Sequence, residues 1–337
     1  MTPQYSNLLY FLANEGVIGI ATGGIDCASS VLLLEMWGEN SNAYLQGLHT
    51  SYALGSTVAP LISAPFLSSD EDDTESNKFI SVPFGIISLV LVVGSAFLLY
   101  FETFFPYKTP LRSLSVKREL PSVVITNEKE ENIRIFETKR QLRFYTFTVV
   151  LLGALLLCFY TATEMNIFFY LPTVVLELDL GIEKTTASMM SASFASCFTI
   201  FRGLSIFVAT KLKPSTMLCI TFTDLLIAYI IMMIYAMSSV KFLWLATIML
   251  GSGCACVYAS VYAFIERRID VTNQIAGIFL FFCQAMASVC PIIVGKTIEE
   301  NPFFVVYLNF SCLIIVLLTF ASIFLADAWK RSILSKI

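Results

Sequence analysis

Two carboxylates lie inside long apolar stretches of this 337-residue chain and are its first candidates for chemistry. Asp26 is in the middle of GIATGGIDCASSVLLLEMWG (19–38), and Glu164 is in YTATEMNIFFYLPTVV (160–175). A charge at the centre of a membrane-spanning helix is unfavourable by about 2.5 to 3.5 kcal/mol on insertion scales. Each residue therefore indicates either a cation or proton site facing a water-filled cavity, or a neutral carboxyl that hydrogen-bonds to another helix.

Hydroxyl groups accompany Asp26. Thr22, Ser29 and Ser30 lie about one helical turn away, roughly on the same face of the predicted helix. Together with the carboxylate they would offer oxygen atoms to a hard cation or to the hydroxyls of a sugar. We predict that these four residues bind substrate or ion.

Polar groups also accompany Glu164. Tyr160 and Asn166 lie near it in the same stretch, so the carboxylate would accept hydrogen bonds from a substrate or act as a second coupling acid. Because Glu164 lies in the outer third of its stretch, contact with the aqueous interface is the alternative. Gln284, in the middle of a later apolar stretch, suits sugar recognition or hydrogen bonding between helices.

The composition is that of a membrane protein, with 57% hydrophobic residues, 14% charged residues and a mean hydropathy of +0.77. A bilayer core about 30 Å thick requires roughly 20 residues of helix, and the chain lacks the ~10-residue alternation of a membrane β-barrel. We therefore predict an all-α membrane protein. Nine spans are predicted, at about 10–37, 44–67, 79–104, 143–172, 185–210, 215–237, 241–264, 274–296 and 303–327.

Basic residues lie mostly on one side of these spans. Sixteen of the 21 Lys and Arg residues share the side of the C-terminus, which the positive-inside rule makes cytoplasmic. A charged segment follows the first three predicted spans and precedes the other six. We predict that this segment is solvated and partly disordered. The predicted regions are a partial amino-terminal bundle (1–105), this cytoplasmic linker (106–142), a six-helix bundle (143–328) and a cytoplasmic tail (329–337).

Two neighbouring motifs resemble a known family. GGIDCASSVLLLEMWG (23–38) and YLQGLHTSYALGSTVAPLI (44–62) are similar to the fourth and fifth spans of the major facilitator superfamily. Within it, the resemblance is to the sodium-dependent glucose transporter group, also called major facilitator superfamily domain-containing protein 4. The matching positions are Asp26, Val31, Leu32, Trp37, Gly38, Leu45, Gln46, His49, Ser51, Gly55, Ala59 and Pro60, whereas Ser30 stands where the group usually has Asn.

The resemblance implies a secondary active transporter of a sugar-like solute, above all glucose, coupled to Na⁺ or H⁺ by alternating access in the plasma membrane. Asp26 stands where the related fucose–proton symporters have an acidic residue, and Glu164 stands on a span that lines the family's central cavity. The resemblance also implies a packing or gating position for His49, the only histidine. Arg202 is expected in the cytoplasmic gate, extending to the helix end or pairing with an acidic residue there.

Other functions receive less support. On a template of two six-span halves the chain lacks the first three spans, so the alternative is a truncated, non-transporting member of the superfamily, and we expect this chain alone to transport poorly. No G-x-S-x-G-type serine motif or phosphate-binding loop is present, and the net charge is −4. We predict no enzymatic activity, no metal or cofactor beyond a coupling ion, and no nucleic-acid partner; the oligomeric state stays open.

Overall fold

The computed structural model describes residues 7–63, 81–108, 128–178, 180–235, 239–298 and 301–335, and helices account for nearly all of them. A short 3₁₀ turn, Gly38–Asn40, joins the first two helices. Within these ranges no strand is present, which confirms the all-α prediction. The α-helices are α1 (Leu8–Trp37), α2 (Ser41–Ser63), α3 (Ser81–Phe104), α4 (Glu128–Leu176), α5 (Lys184–Lys211), α6 (Pro214–Tyr235), α7 (Val240–Cys254), α8 (Val257–Glu266), α9 (Asn273–Thr297) and α10 (Phe304–Leu334).

Eight helical stretches of the described chain are long and apolar enough to cross a membrane, against nine predicted spans. The difference arises at the first stretch, Leu8–Gly55, which joins α1 to most of α2 through the 3₁₀ turn. Gly38 has a φ of +49°, a left-handed conformation that favours glycine and lets the chain turn between the two helices. Another stretch, Val240–Glu266, contains both α7 and α8.

Helix α4 begins earlier than expected. Its first residue is Glu128, inside the range predicted as a linker, because residues 128–142 are rich in the helix-forming residues Glu, Lys and Arg. Leu142 and Tyr145 are buried, so packing extends beyond the predicted start of this span at 143. Residues 109–127 of the predicted linker lie outside the described part of the chain, and the region boundaries remain predictions.

The chain divides into two compact units, one of residues 1–28 and 50–111 and the other of residues 29–49 and 112–337. In the first unit most side chains are exposed, and Pro83 is the buried residue of α3. The second unit holds most of the core, where α4 packs against α9 and α10, and α7 packs against α5 and α6.

Two glycines let α7 approach its neighbours closely in the second unit. A Cβ atom on Gly251 would lie 2.7 Å from the backbone oxygen of Phe194 on α5. A Cβ atom on Gly253 would lie 2.8 Å from the side chain of Leu225 on α6. Small residues permit this kind of backbone approach between membrane helices. The carboxyl end of α7 is thereby fixed between α5 and α6.

Candidate functional site

The candidate site is built around an interruption in a buried helix. Helix α7 ends at Cys254 and α8 begins at Val257, with Ala255 and Cys256 forming a turn between them. In this turn the Ala255 amide donates to the oxygen of Ser252 at 3.3 Å. A helix interrupted inside a membrane protein exposes carbonyl oxygens that must find donors in the protein or in a water-filled cavity.

Three consecutive carbonyl oxygens of this interruption accept hydrogen bonds from side chains on three other helices. The Tyr160 hydroxyl of α4 donates to Cys254 at 2.6 Å. Nε of Arg202 on α5 donates to Ala255 at 2.8 Å. The third bond runs from Nε2 of Gln46, on α2, to the oxygen of Cys256 at 3.0 Å. Because all three donors are buried, they fix the interrupted segment from three directions.

Arg202 also forms a buried ion pair with Glu164. The distance from Nη2 to Oε1 is 3.4 Å, and the two side chains are 6% and 8% exposed. The guanidinium carbon lies 4.0 Å from the centre of the Phe198 ring, a favourable cation–π distance. Charge-assisted pairs usually close to about 2.7–2.9 Å, so this distance is long for an ion pair.

The ion pair differs from what the sequence led us to expect. Glu164 lies in the interior of the second unit rather than at an aqueous interface. Arg202 does not extend to the end of its helix, and its acidic partner lies within a predicted span rather than at a helix end. The structure therefore brings Arg202, which was predicted in the cytoplasmic gate, together with Tyr160 and Glu164, which were predicted together as substrate or ion contacts.

Gln46 extends the polar cluster through two serines. Its Nε2 also donates to Ser260 Oγ at 3.0 Å, and Ser205 Oγ lies 2.9 Å from its Oε1. The same serine oxygen lies 2.6 Å from the oxygen of Arg202, so one hydroxyl proton serves two acceptors. From the sequence, Gln46 is predicted only as a residue of the family motif. An uncharged amide within an apolar stretch was the signal that could have identified it.

His49 packs beside this cluster rather than within its hydrogen bonds. Its ring meets Tyr258 edge to face, with the centroids 4.9 Å apart. In the described part of the chain, its Nε2 is buried and makes no hydrogen bond. His49 lies on α2 and contacts α8, and the roles predicted for His49 and Arg202 stay predictions.

Asn166 belongs to a second polar group in the same unit. Its Nδ2 donates to Oδ1 of Asn309 at 2.9 Å, and both residues are buried. They line a cavity of about 20 Å³ together with Tyr229, which is enough space for about one water molecule. Among the described residues, neither Asn166 Oδ1 nor the Tyr229 hydroxyl has a hydrogen-bond partner. The predicted substrate contact of Asn166 remains untested.

The residues predicted around Asp26 fall in different environments. Asp26 is partly buried, whereas Thr22 is exposed and its hydroxyl lies 2.9 Å from the oxygen of Ile18 in its own helix. Ser30 is buried and Ser29 partly buried, and both belong to the second unit. The first unit contains Asp26 and Thr22. The ion-binding role of this group therefore stays a prediction.

Two further sets of positions considered in the sequence are Gln284 and the cysteines. The Gln284 side chain is exposed on α9, and its backbone oxygen accepts a hydrogen bond from Ser288 at 2.8 Å. All nine cysteines lie in the described ranges, and none of them forms a disulfide. Across the described ranges, no group of three His, Cys, Asp or Glu residues is arranged to hold a metal ion.

Comparison with protein families and curated proteins gives consistent matches. The family described as Major Facilitator Superfamily matches residues 2–291. Sodium-dependent glucose transporter 1A of Mus musculus is 24% identical over 314 residues, covering 88% of this chain and 70% of the relative. Sodium-dependent glucose transporter 1 of Homo sapiens is 24% identical over 315 residues, covering 88% and 57% respectively. The chain thus spans between just over half and about 70% of the length of these relatives.

Solved structures match the fold at low sequence identity. The transporter FucP in its outward conformation gives a TM-score of 0.69 at 14% identity, covering 94% of this chain and 77% of that chain. The Escherichia coli fucose:proton symporter FucP gives 0.66 at 15% identity with the same coverage. At such identities the likeness describes the fold, and it agrees with the helical architecture above.

Proposed function

We propose that this chain, which belongs to the Major Facilitator Superfamily of membrane transporters, is a secondary active transporter of a sugar-like solute. Glucose is the first candidate, because curated relatives are named sodium-dependent glucose transporters. In this proposal Na⁺ or H⁺ drives uptake, and two helical bundles alternate in exposing a site near the middle of the membrane.

The observation that carries the proposal is the buried ion pair at the interrupted helix. Removing two charges from water costs several kcal/mol per ion, and well-packed apolar residues often stabilise a protein as much as a buried pair does. Glu164 and Arg202 are therefore poorly explained by stability alone. In transporters, interrupted helices in the membrane commonly supply the groups that bind solute and coupling ion.

The chemistry of the cluster suits a solute with several hydroxyl groups. Glu164 offers carboxylate oxygens as acceptors and Arg202 offers guanidinium N–H donors, of which Nε binds the oxygen of Ala255 and Nη2 pairs with Glu164. Tyr160 and Gln46 act as positioning residues in this proposal, because they hold the carbonyl oxygens of the α7–α8 interruption. A solute hydroxyl that replaced one of these donors would meet an acceptor already in place.

Asp26 is proposed as the coupling group. A carboxylate on an apolar helix can neutralise Na⁺ or take up a proton, and its affinity can differ between the two conformations. The Thr22 hydroxyl, which lies in the same unit as Asp26, would supply a further oxygen ligand, and the ligand roles of Ser29 and Ser30 stay predictions. Coupling requires only that the ion binds one conformation more tightly than the other.

Uptake into proteoliposomes tests the proposal. Purified chain is reconstituted, and accumulation of radiolabelled glucose is measured under an inward Na⁺ gradient, an inward H⁺ gradient or no gradient. We expect slow accumulation under one of the two gradients, in line with the poor transport predicted from the sequence, and loss of at least about tenfold in Glu164→Gln, because a charge-assisted acceptor is removed. Asp224→Asn is the matched control, since this partly buried carboxylate binds Ser252 at 2.6 Å instead of Arg202. Uptake equal to that of empty vesicles under all three conditions would contradict the proposal and favour a non-transporting member.

A further inference from the structure

A strongly basic cavity lies at one end of the second unit, on the predicted cytoplasmic side. Its volume is about 390 Å³, and α4, α6, α8 and α10 border it. Four cationic side chains, Arg267, Arg268, Lys330 and Arg331, line this cavity beside a single carboxylate, Asp327. The transport proposal assigns no role to any of these residues.

Arg268 and Asp327 form an ion pair on one side of the basic cavity. Nε and Nη2 of Arg268 both lie 2.8 Å from Oδ2 of Asp327. The Tyr145 hydroxyl donates to Oδ1 of Asp327 at 2.7 Å. Arg268 also donates to the oxygen of Phe264 at 2.8 Å and lies over its ring at 3.7 Å. Arg268 thus pairs with Asp327, and Arg267, Lys330 and Arg331 add three further positive charges to the lining of the cavity.

Those three cations lie where an anion could reach them. Nη2 of Arg267 donates to the backbone oxygen of Glu39 at 3.1 Å, a contact with a neutral group. Arg331 is exposed on α10. Lys330 places its ammonium 4.8 Å above the ring of Tyr145. Ser215, at the amino end of α6, adds a hydroxyl and a helix terminus that favours anions.

We propose that the basic cavity binds the headgroup phosphate of an anionic phospholipid. Guanidinium groups match the geometry of phosphate oxygens, and basic pockets between membrane helices on the cytoplasmic side bind anionic headgroups. The inference depends on the charges and position of these residues and is independent of what the chain transports.

The surroundings of the basic cavity favour a lipid over a soluble phosphate. Trp329 and Phe144 adjoin Lys330 and Tyr145 in sequence, and their rings meet edge to face at 5.7 Å while remaining 39% and 61% exposed. Exposed aromatic rings of this kind mark the headgroup level of a membrane. Leu325, one turn earlier than Trp329 on α10, is 72% exposed and offers apolar surface for an acyl chain.

Native mass spectrometry of the full chain in detergent tests the lipid site. Phosphatidylglycerol or phosphatidylcholine is added at equal concentrations, and retained lipid is counted. We expect preferential retention of phosphatidylglycerol by the wild type. Retention should fall by at least about tenfold in the triple variant Arg267→Gln, Lys330→Gln, Arg331→Gln, because each cation near an anionic headgroup contributes about fivefold in affinity.

The control removes the same number of charges from the opposite end of the helices. The variant Lys184→Gln, Lys241→Gln, Lys296→Gln should retain phosphatidylglycerol like the wild type. Equal retention of both lipids by the wild type, or an equal loss in the control, would overturn the proposal. A third measurement uses inorganic phosphate alone. If phosphate stabilises the protein against unfolding and phosphatidylglycerol is not preferred over phosphatidylcholine, the site binds a soluble anion and the lipid proposal is wrong. The single variant Arg331→Gln, whose side chain is exposed, repeats the test if the triple variant unfolds.

Discussion

Glu164 and Asp26 each place a carboxylate in an apolar helix, but the two carboxylates have different surroundings in their respective units. Glu164 is 6% exposed and pairs with Arg202 inside a cluster that also fixes the α7–α8 interruption. Asp26 is only partly buried, and Ile25 beside it is 68% exposed. An intramembrane charge can therefore be part of the packing or can lie on a helix with little buried surface. Substitutions should therefore affect stability in the first case and function alone in the second.

Arg202→Met should give the largest effect, because it leaves Glu164 buried without its cation. Breaking one side of a buried ion pair costs about 3–5 kcal/mol. We expect a clearly lower thermal unfolding temperature of the purified protein in detergent. The double variant Arg202→Met, Glu164→Gln removes both charges and should recover most of the loss. If the single variant unfolds at the wild-type temperature, the pair contributes nothing and the comparison fails.

Gly251→Ala tests whether the cluster depends on close helix packing. The added methyl group would meet the backbone oxygen of Phe194 at 2.7 Å, and backbone cannot move aside cheaply. Overpacking of this kind costs about 1–3 kcal/mol. Gly19→Ala in the first unit is the matched control, since no described atom lies within 4 Å of its added methyl group. Equal unfolding temperatures for the two variants would show that the packing at α7 is not tight.

Gln46→Leu should destabilise the second unit moderately. It removes the donor to Cys256 and leaves the hydroxyls of Ser205 and Ser260 with fewer partners. An unsatisfied buried polar group costs about 1–3 kcal/mol. Gln284→Leu makes the same chemical change at an exposed position and should leave the unfolding temperature nearly unchanged. A larger loss for Gln284→Leu than for Gln46→Leu would contradict the assignment of Gln46 to the cluster.

The helices could be predicted from the sequence because their signal is local. Long apolar stretches marked each membrane helix, and the motifs around Asp26 and His49 identified the superfamily. The start of α4 was placed too late because charged residues were taken as a sign of a solvated linker, although Glu and Lys also favour helix.

The site could not be predicted because its contacts are not local. Glu164 and Arg202 are 38 residues apart, and Gln46 meets Cys256 across 210 residues. The interruption at GSGCAC (251–256) contains no proline and does not break the apolar stretch, so hydropathy gives no sign of it. Only the packing of the helices brings these carbonyl oxygens to their side-chain donors.

Asp26→Asn should have the smallest effect on stability and a large effect on coupling. The amide keeps the size and much of the hydrogen bonding of the carboxylate, and Asp26 is only partly buried, so we expect a change within about 1 kcal/mol. Loss of the anion removes the group that would attract Na⁺ or take up a proton, so glucose uptake should no longer respond to the ion gradient. Thermal unfolding and gradient-driven uptake are measured on the same preparation, with Glu164→Gln beside it. That second variant is expected to change both quantities, because its side chain is buried against Arg202. If Asp26→Asn lowers the unfolding temperature as much as Arg202→Met does, Asp26 is part of the packing and the contrast between the two carboxylates is wrong. If uptake by Asp26→Asn still follows the gradient, another residue couples the ion.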